Sequence, residues 1–409
     1  MTTDAQLDVN SIVSTILSLY LSLNFNPPPN QFTVLASLIL ISPNTPPKVI
    51  SLGTGSKCLP TSKFPLAGDA LHDSHAEVLA RRGAIRWFVE EVQRYAGTGS
   101  SDWIERVEGD KFDLKPHVKM YMYVSTVPCG DASTRYLASS QDPTMSTLKS
   151  STPWAPLPPN TPSRGRDNYS LHGVLRTKPG RADSPPTVCM SCSDKIAMWG
   201  VMGIQGALAS SFLNPVYVSG VIVGEVEEGL REVVREDCER AFWGRVDGVK
   251  GLPPPYHLHL PSIHFTSLPF IHSRSSLGPP TEPASSCNDS LCYIPDSPTK
   301  SQEVLIAGIR RGVPPKHRYK EKFRPILSKI SLFNLYLQTI QTLNLPAPPP
   351  EQTYHTTKSL STYQSTKNLL QTSPSIFSGW LRSGKRWESF DSAGRVIVVE
   401  EFQSDVLES

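Results

Sequence analysis

The order of apolar and polar residues predicts alternating helices and strands along most of the chain. A helix is predicted from Asp8, because Ile12 and Ile16 follow at helical spacing and the PPP run at 27–29 stops it. Two strands follow, FTVLASLILI and KVISLGTGSKCL, and the turn-forming SPNTPP between them predicts a hairpin. The best helix begins near Ser74 and runs through HAEVLARRGAIRWFVEEVQRYA with one apolar stripe.

The second half of the chain continues this alternation. VKMYMYVSTVPCG predicts a strand that runs into a turn, and SCSDKIAMWGVMGIQGALAS predicts a helix or a helix-turn-helix. A strand (VYVSGVIVGEV), a helix (EEGLREVVREDCERAFW) and a strand (EVLIAGIRRG) follow, and two or three helices precede a polar tail at 404–409. Strands that alternate with helices indicate an α/β core, here with helices appended at the C-terminal end.

Proline marks two segments that interrupt the pattern. The chain has 38 Pro in 409 residues, and many of them lie in Ser-rich and Pro-rich stretches at 139–186 and 272–300. Segments of this composition bury too little apolar surface to fold by themselves. We therefore predict two disordered surface insertions within a single domain that spans 1–403.

Overall charge and cysteine content narrow the class of protein. The 40 Lys and Arg residues are nearly balanced by 37 Asp and Glu, so any site for a polyanion has to be local. No glycine or heptad period runs through the chain, which excludes a collagen or a coiled coil. Seven scattered cysteines, no secretory signal and no apolar run near the ~20 residues that span a bilayer predict an intracellular protein without a membrane anchor. Both nucleus and cytoplasm stay open.

Three short motifs carry the candidate chemistry: SHAE with His75 and Glu77, VPCG with Cys129, and CMSC with Cys189 and Cys192. One His and two Cys can supply three tetrahedral zinc ligands and leave the fourth position to water. Glu77 follows His75 by two residues, which suits a carboxylate that moves a proton beside such a site. The set matches the H-x-E and P-C-x-x-C pattern of zinc nucleobase deaminases, except that the second Cys lies beyond the first insertion. CMSC alone also fits a redox pair or half of a structural zinc site.

Longer segments extend this match. GTGSKCL, LHDSHAEVLARR, VPCGD and SCSDKIAMWGVMGIQGALAS resemble the adenosine-to-inosine RNA editases, most of all their eukaryotic tRNA-specific members. The resemblance covers about residues 50 to 385 apart from the insertions. It implies an α/β fold with a cytidine-deaminase-like mixed sheet flanked by helices, appended C-terminal helices and two proline-rich insertions. It also implies a zinc ion held by His75, Cys129 and Cys192, with Glu77 as the proton shuttle. The residues alone leave Cys189 as an alternative third ligand.

The resemblance further implies a buried inositol hexakisphosphate bound by basic and aromatic residues. The candidates are Lys57, Arg81, Arg82, Lys195, Tyr354, Lys358, Tyr363, Lys367 and Trp380. Cations that cannot reach water are costly unless an anion neutralises them, and a polyphosphate neutralises several at once. The alternative is that these are ordinary solvated side chains.

Three of the candidate lysines lie at spacings that bear on the anion site. Lys358 and Lys367 are nine residues apart on one predicted helix, and Lys195 follows Cys192 by three, which would link the anion to the metal site. Met198, Ala207 and His72 stand where the messenger-RNA editors have Arg, Ser and Asn. The inner contacts of the anion would therefore differ in detail.

The resemblance predicts zinc-dependent hydrolytic deamination of adenosine to inosine in tRNA, at the adenosine 3′ of the anticodon (position 37) of alanine tRNA. An anticodon loop offers unstacked bases to a deaminase. The 74 residues ahead of His75 leave no room for the double-stranded-RNA-binding domains of messenger-RNA editors, which also favours tRNA. We expect a monomer.

Other assignments stay open at this point. A basic run is a candidate contact for the tRNA backbone, although charge runs are often only solvated faces: Arg310, Arg311, Lys316, His317, Arg318, Lys320 and Lys322. Alternatives to the tRNA enzyme are a deaminase of another RNA, a cytidine or free-nucleoside deaminase, and a zinc-stabilised RNA-binding protein without catalysis. Glu77 argues against the last, because a purely structural zinc site has no use for it.

Overall fold

The structure, a computed structural model, describes residues 7–43, 45–139, 156–165, 170–180, 184–277, 284–372 and 375–397. It confirms the predicted mixed α/β class. The helices are α1 (Val9–Ser22), α2 (Ala76–Thr98), α3 (Thr134–Ser139), α4 (Cys192–Met202), α5 (Gly206–Ala209), α6 (Arg231–Phe242), α7 (Lys329–Thr342), α8 (Tyr354–Ser359) and α9 (Thr362–Leu370). The strands are β1 (Gln31–Phe32), β2 (Leu35–Ile41), β3 (Lys48–Thr54), β4 (Ser56–Cys58), β5 (Asp73–His75), β6 (Ile104–Val107), β7 (Lys111–Leu114), β8 (Lys119–Val124), β9 (Ser163–Arg164), β10 (Arg176–Thr177), β11 (Gly220–Val223), β12 (Ser262–Phe265), β13 (Ser285–Ser286), β14 (Asp289–Tyr293), β15 (Gln302–Ile306) and β16 (Ile309–Arg310).

The central sheet has eight strands in the order β12-β11-β8-β2-β3-β14-β15-β16. The first three run parallel to one another, and the others join by antiparallel pairs. The predicted hairpin is confirmed as β2 and β3. Parallel strands need crossover connections, and here α4 and α5 lie between β8 and β11, and α6 lies between β11 and β12.

Alternate residues of the central strands pack into two cores, as the two-residue period of a strand requires. On one face, Leu38 and Met122 belong to the core that includes residues of α2, α4, α6 and α7. On the other face, Ile39 and Tyr123 pack with residues of α1. Helices therefore cover both faces. Within the described residues, no helix combines the length and apolar character needed to cross a membrane.

Helix α2 lies directly against the sheet, and this position sets the start of the helix. A Cβ atom added at Gly53 of β3 would come within 2.7 Å of the Leu79 Cβ and 2.9 Å of the Ala76 carbonyl oxygen. Only glycine allows this approach without displacing the helix backbone. The first turn of α2, which follows His75, is therefore held close to the centre of the sheet.

The prediction of a disordered first insertion is wrong for its described C-terminal part. Arg176 is 1% exposed, and its guanidinium donates hydrogen bonds to the carbonyls of Gly165 and Leu171. Its backbone N–H donates to the Asp194 carboxylate at 2.9 Å, which ties the segment to α4. Composition could not reveal this, because polar side chains and backbone hydrogen bonds hold the segment in place. Residues 140–155 of the insertion lie outside the described residues.

The second predicted insertion also contains ordered structure. Strand β14 lies inside the central sheet between β3 and β15, and Leu291 is fully buried, so the prediction is wrong there. Residues 278–283 and the predicted tail at 404–409 lie outside the described residues. The single helix predicted to carry Lys358 and Lys367 is in fact two, α8 and α9. Ser361 separates them because its side chain caps α9 by accepting a hydrogen bond from the Gln364 N–H.

Candidate active site

The strand-to-helix junction at His75 organises the site. Strand β5 pairs with β4, and the chain passes from His75 directly into α2. The Nδ1 atom of His75 lies 2.9 Å from the Oδ1 atom of Asp73, and the His75 backbone N–H donates to the same oxygen at 3.0 Å. An imidazole that uses Nδ1 in this way presents Nε2 as its free nitrogen, a common arrangement for metal-binding histidines.

Asp73 is buried and holds three cationic or polar groups. Its Oδ2 atom accepts hydrogen bonds from the Lys178 ammonium at 2.9 Å and from the Lys195 ammonium. Burial alone would raise the pKa of Asp73, but Lys178, Lys195 and His75 outweigh it and hold that pKa well below its usual range. Burial and Lys178 act to lower the pKa of His75, but Asp73 prevails and raises it to about 9. The imidazole is therefore unusually basic.

The two motif cysteines meet at the start of α4. The Cys192 backbone N–H lies 3.4 Å from the Cys129 Sγ atom, and the Ser193 N–H and hydroxyl both donate to the Cys129 carbonyl at 3.0 Å. Gly130 makes this approach possible, because a Cβ atom there would come within 2.2 Å of the Ser191 Oγ atom, and its φ of 110° is unfavourable for other residues. The VPCG turn is thus fitted to the N-terminus of α4.

The chemistry of the two thiols differs. A hydrogen bond from Cys192 lowers the pKa of Cys129, burial opposes this, and Lys178 and a hydrogen bond from His75 add to the lowering. The pKa of Cys129 is therefore well below its ordinary range, whereas burial raises that of Cys192. His75 contacts Cys129, and Cys129 contacts Cys192, so the three predicted ligands are neighbours in the structure.

Lys178 is a site residue that the sequence analysis missed. It is 3% exposed, and its Nζ atom lies 3.0 Å from the Cys192 Sγ atom and 2.9 Å from the Asp73 carboxylate. A buried ammonium between a sulfur and a carboxylate favours the thiolate form. Lys178 comes from the predicted insertion, where no periodic pattern drew attention to it. Asp73 was likewise missed, because an acidic residue two positions before a histidine is common.

Glu77 is buried in the first turn of α2 and lines the same cavity as His75 and Cys129. Burial and the neighbouring Cys129 raise the pKa of its carboxyl group. The cavity has a volume of about 1140 Å³, and Phe32, Lys57 and Arg274 line other parts of its wall. We call it the catalytic cavity.

The other thiol of the CMSC motif points elsewhere. Cys189 contacts the His72 carbonyl oxygen at 3.5 Å and the Cys58 thiol, whose hydrogen bond lowers the pKa of Cys189 to about 7. Cys189 lines a different cavity from the one that contains Cys129.

The predicted ligands His75, Cys129 and Cys192 do not form a group whose ligand atoms all lie within 4.8 Å of one another in the described part of the chain, whereas a different cluster around His75 does. Among the described residues, ligand atoms of Cys58, Asp73 and His75 lie within 4.8 Å of one another. The His75 atom nearest Cys58 is Nδ1, at 3.6 Å, and this atom is already hydrogen-bonded to Asp73. Asp73 also faces two ammonium groups, which would repel a cation. The geometry therefore favours the Cys129 side of the imidazole for a metal.

A separate cavity of about 630 Å³ is lined in part by Asp73, and we call it the basic cavity. Of the nine residues predicted to bind a polyphosphate, eight line it: Arg81, Arg82, Lys195, Tyr354, Lys358, Tyr363, Lys367 and Trp380. The lining also includes cations that the sequence analysis missed, namely Lys329, Arg382 and Lys385. Lys57, the ninth candidate, does not line the basic cavity. It lines the catalytic cavity, where its Nζ atom donates to the Ser286 hydroxyl at 2.7 Å.

The cations of the basic cavity outnumber its carboxylates. Lys329 and Lys358 contact Glu388 at 3.0 and 2.7 Å, and Lys195 contacts Asp73. Burial, together with the charges of Lys358 and Arg81, lowers the pKa of Lys367 to about 7.

The arginines and His72 are also affected by this environment. Burial lowers the pKa of Arg81, and burial with the charge of Arg81 lowers that of Arg82 to about 10. Burial and two nearby cations lower the pKa of His72 to about 2, so its ring is neutral and stacks on Phe64 at 3.5 Å. Met198 and Ala207 also line the cavity and add no charge. The lining as a whole has the chemistry of a site for a multiply charged anion.

Comparison with known proteins matches this arrangement to one family. The sequence pattern of the adenosine-deaminase (editase) domain covers residues 51–384. The chain is 30% identical over 345 residues to tRNA-specific adenosine deaminase 1 of Schizosaccharomyces pombe, which is 82% of each chain. It is 30% identical to tRNA-specific adenosine deaminase 1 of Drosophila melanogaster over 77% of each chain. It is also 32% identical to the double-stranded RNA-specific editase Adar of Drosophila melanogaster, over 53% of this chain and 32% of that protein. The chain therefore belongs to the adenosine-deaminase (editase) family of enzymes.

Proposed function

We propose that this enzyme is a zinc-dependent hydrolase that converts adenosine to inosine in tRNA, at the adenosine 3′ of the anticodon of alanine tRNA. The observation that carries the proposal is the meeting of His75, Cys129 and Cys192 beside the buried carboxyl group of Glu77. The tRNA substrate is supported by the two relatives named tRNA-specific adenosine deaminase 1, each of which aligns with more than three quarters of this chain.

The donor set fits zinc. An imidazole nitrogen and two sulfurs are ligands that zinc prefers, and three protein ligands with an open fourth position are typical of catalytic zinc. Asp73 orients His75 from behind, and Lys178 supports the negative charge of Cys192. Zinc held by these residues would supply an activated water molecule at neutral pH.

Glu77 is suited to move protons in this reaction. Deamination consumes one water and releases ammonia, so a proton has to leave the attacking water and reach the departing amine. Burial and Cys129 raise the pKa of the Glu77 carboxyl group, and a shift in this direction is typical of carboxyl groups that act as general acids and bases. Glu77 lines the catalytic cavity beside His75 and Cys129, so it can face an adenine base that enters there.

We further propose that the basic cavity binds inositol hexakisphosphate. Eight Lys and Arg side chains line it, and burial together with neighbouring cations lowers the pKa values of Lys367 and Arg82, so an anion beside them would stabilise their charged forms. A polyphosphate would supply that charge. Lys195 would connect it to His75 through Asp73, so the anion would also support the geometry of the metal site.

Substitution of the proton-transfer residue gives the first test. Glu77→Gln keeps the size of the side chain but removes its titratable group, so inosine formation should fall by about 10²–10⁴-fold with zinc content unchanged. The readout is mass spectrometry of nucleosides from alanine tRNA after incubation, with the exposed Glu108→Gln variant as control. Full activity of Glu77→Gln would refute the role. Wild-type protein that binds tRNA but forms no inosine would support the non-catalytic alternative.

A pair of cysteine variants tests the ligand set. Cys192→Ala should reduce the zinc content per chain strongly, because it removes one of three ligands, whereas Cys189→Ala should retain zinc. Both substitutions remove one buried thiol from the same motif, so each serves as the control for the other. Elemental analysis of the purified variants provides the measurement. Loss of metal from Cys189→Ala alone would show that the assignment is wrong.

Occupancy of the basic cavity can be measured directly. Wild-type protein, purified and then denatured, should release a phosphate-rich anion in an amount comparable to the protein, detected by phosphorus analysis and chromatography. The double variant Lys358→Met and Lys367→Met should release much less, because two cations of the lining are lost. An absence of phosphorus from the wild type would count against the anion.

The titration of Lys367 predicts a pH dependence for protein prepared without a polyanion. Its pKa is about 7 in the folded state against a usual 10.5, so between these values the unfolded chain binds a proton that the folded chain does not. The free energy of unfolding should therefore rise from pH 7 to pH 9, and this gain in stability should disappear when the pH is lowered back to 7. Urea unfolding should show this rise in the wild type and a smaller rise in Lys367→Met. The exposed control variant Lys250→Met should show the same rise as the wild type. Added inositol hexakisphosphate should flatten it, and equal slopes in wild type and Lys367→Met would contradict the prediction.

A further inference from the structure

One surface segment concentrates positive charge far beyond the rest of the chain. We define the basic loop as residues 310–324, which connect β16 to α7. It holds seven Lys or Arg residues and one acidic residue, Glu321, in a chain whose net charge is only +3. The field around it is therefore strongly positive, although the field of the whole chain is not.

Four cations of the basic loop face solvent and have no acidic partner among the residues that the structure describes. They are Lys316, Arg318, Lys320 and Lys322. Within the described part of the chain, none of these four forms an ion pair, although Glu321 lies among them. Cations kept apart from carboxylates are available to an anionic partner, whereas paired cations are already neutralised.

The remaining cations fasten the loop to the body of the protein. Arg311 contacts Asp289 at 2.6 Å, and Arg324 contacts Asp69 at 2.7 Å. Arg310 contacts Glu303 at 3.3 Å and donates a hydrogen bond to the Lys322 carbonyl at 2.8 Å. Both ends of the loop are therefore anchored by ion pairs, and its middle is left to face outward.

Aromatic residues shape the middle of the loop. The ring of Phe323 stacks with that of His317, their centroids 6.0 Å apart, and the Lys322 ammonium lies 4.9 Å from the Phe323 centroid. Tyr319, in contrast, is 52% exposed and stands between Arg318 and Lys320. An exposed aromatic ring between cations is the combination that binds single-stranded nucleic acid, because the ring stacks on a base and the cations contact phosphates.

The start of the basic loop packs against segments that adjoin both cavities. Asp289, the partner of Arg311, directly follows Asn288, which lines that cavity together with Lys57. Ile309, just before the loop, packs in one cluster with Leu59, the neighbour of the cavity residue Cys58. The first residues of the loop are thus fixed to segments that adjoin the cavity residues Cys58 and Asn288.

We propose that the basic loop binds the phosphate backbone of the RNA substrate and that Tyr319 stacks on one of its unpaired bases, while the target adenosine enters the catalytic cavity. This inference rests on the proposed function, because it takes a tRNA as the substrate. Each cation that neutralises a phosphate releases a counterion, so binding through four cations is strongly dependent on salt. The loop would supply affinity in addition to the contacts that the target adenosine makes in the catalytic cavity.

Neutralising the loop in the full-length protein tests the proposal. A variant with Lys316→Ala, Arg318→Ala, Lys320→Ala and Lys322→Ala should bind transcribed alanine tRNA at least about ten-fold more weakly. The slope of log Kd against log salt concentration should fall by about 0.7–0.9 for each lost phosphate contact. The control is Lys119→Ala with Lys250→Ala, two exposed cations away from the loop, and it should bind like the wild type. Unchanged affinity and slope in the four-fold variant would overturn the proposal and leave an acidic protein as the partner to consider.

Tyr319 variants separate stacking from charge. Tyr319→Ala should weaken tRNA binding by about ten-fold, and Tyr319→Phe should bind normally, because stacking needs only the ring. An equal loss in both variants, or none in either, would contradict the stacking role. All these side chains are exposed, so unchanged thermal unfolding checks that each variant is folded.

The assay distinguishes failure of this inference from failure of the proposed function. If the wild type forms inosine in tRNA while the neutralised loop binds and edits normally at every salt concentration, only the loop proposal fails. If the wild type forms no inosine in any tRNA yet loses RNA affinity when the loop is neutralised, the loop proposal stands and the proposed function fails.

Discussion

A single buried carboxylate holds the two cavities of this enzyme together. Asp73 accepts from the His75 ring, the Lys178 ammonium and the Lys195 ammonium, and these groups come from three separate parts of the chain. A buried charge is tolerated only when its partners surround it, and removal of one partner is strongly destabilising. The same interaction therefore fixes the orientation of the imidazole, brings Lys178 to Cys192 and connects both to the basic cavity.

The basic cavity places an unusual demand on the fold. Helices α2, α4, α7, α8 and α9 all contribute to its lining, and several of the cations are kept from water. Glu388 and Asp73 neutralise part of this charge, and burial together with the charges of Lys358 and Arg81 lowers the pKa of Lys367. The C-terminal helices thus meet the catalytic part of the chain around a concentration of charge rather than around an apolar core alone. The polyphosphate proposed for this cavity would therefore be a component of the packing, in the manner of a buried counterion.

Positive charge is concentrated both in the interior of the molecule and on its surface. Inside, cations converge on the basic cavity and on Asp73. Outside, the basic loop presents four exposed cations, which form no ion pair among the described residues, together with the exposed ring of Tyr319. A net charge of +3 conceals both concentrations, because acidic residues elsewhere compensate for them. Local charge, and not the total, is the property that bears on an RNA substrate.

The sequence by itself determined the local elements and the motif residues. Periodicity predicts α1, the hairpin of β2 and β3, and α2, because the spacing of apolar residues reports which side of an element is buried. The motifs identified His75, Glu77, Cys129 and Cys192, since each lies in a short recognisable segment. Eight of the nine residues suggested for the polyphosphate indeed line one cavity.

Only the tertiary structure decided the contacts between distant segments. Lys178 reaches Asp73 across 105 positions of the chain, from a segment whose composition predicts disorder, and Lys57 turns toward Ser286 in the catalytic cavity instead of the basic one. Strand β14 lies inside the central sheet although it follows a run of prolines. Such contacts depend on hydrogen bonds and ion pairs between single polar residues, which leave no periodic pattern in the sequence, whereas the burial of a helix or strand face does.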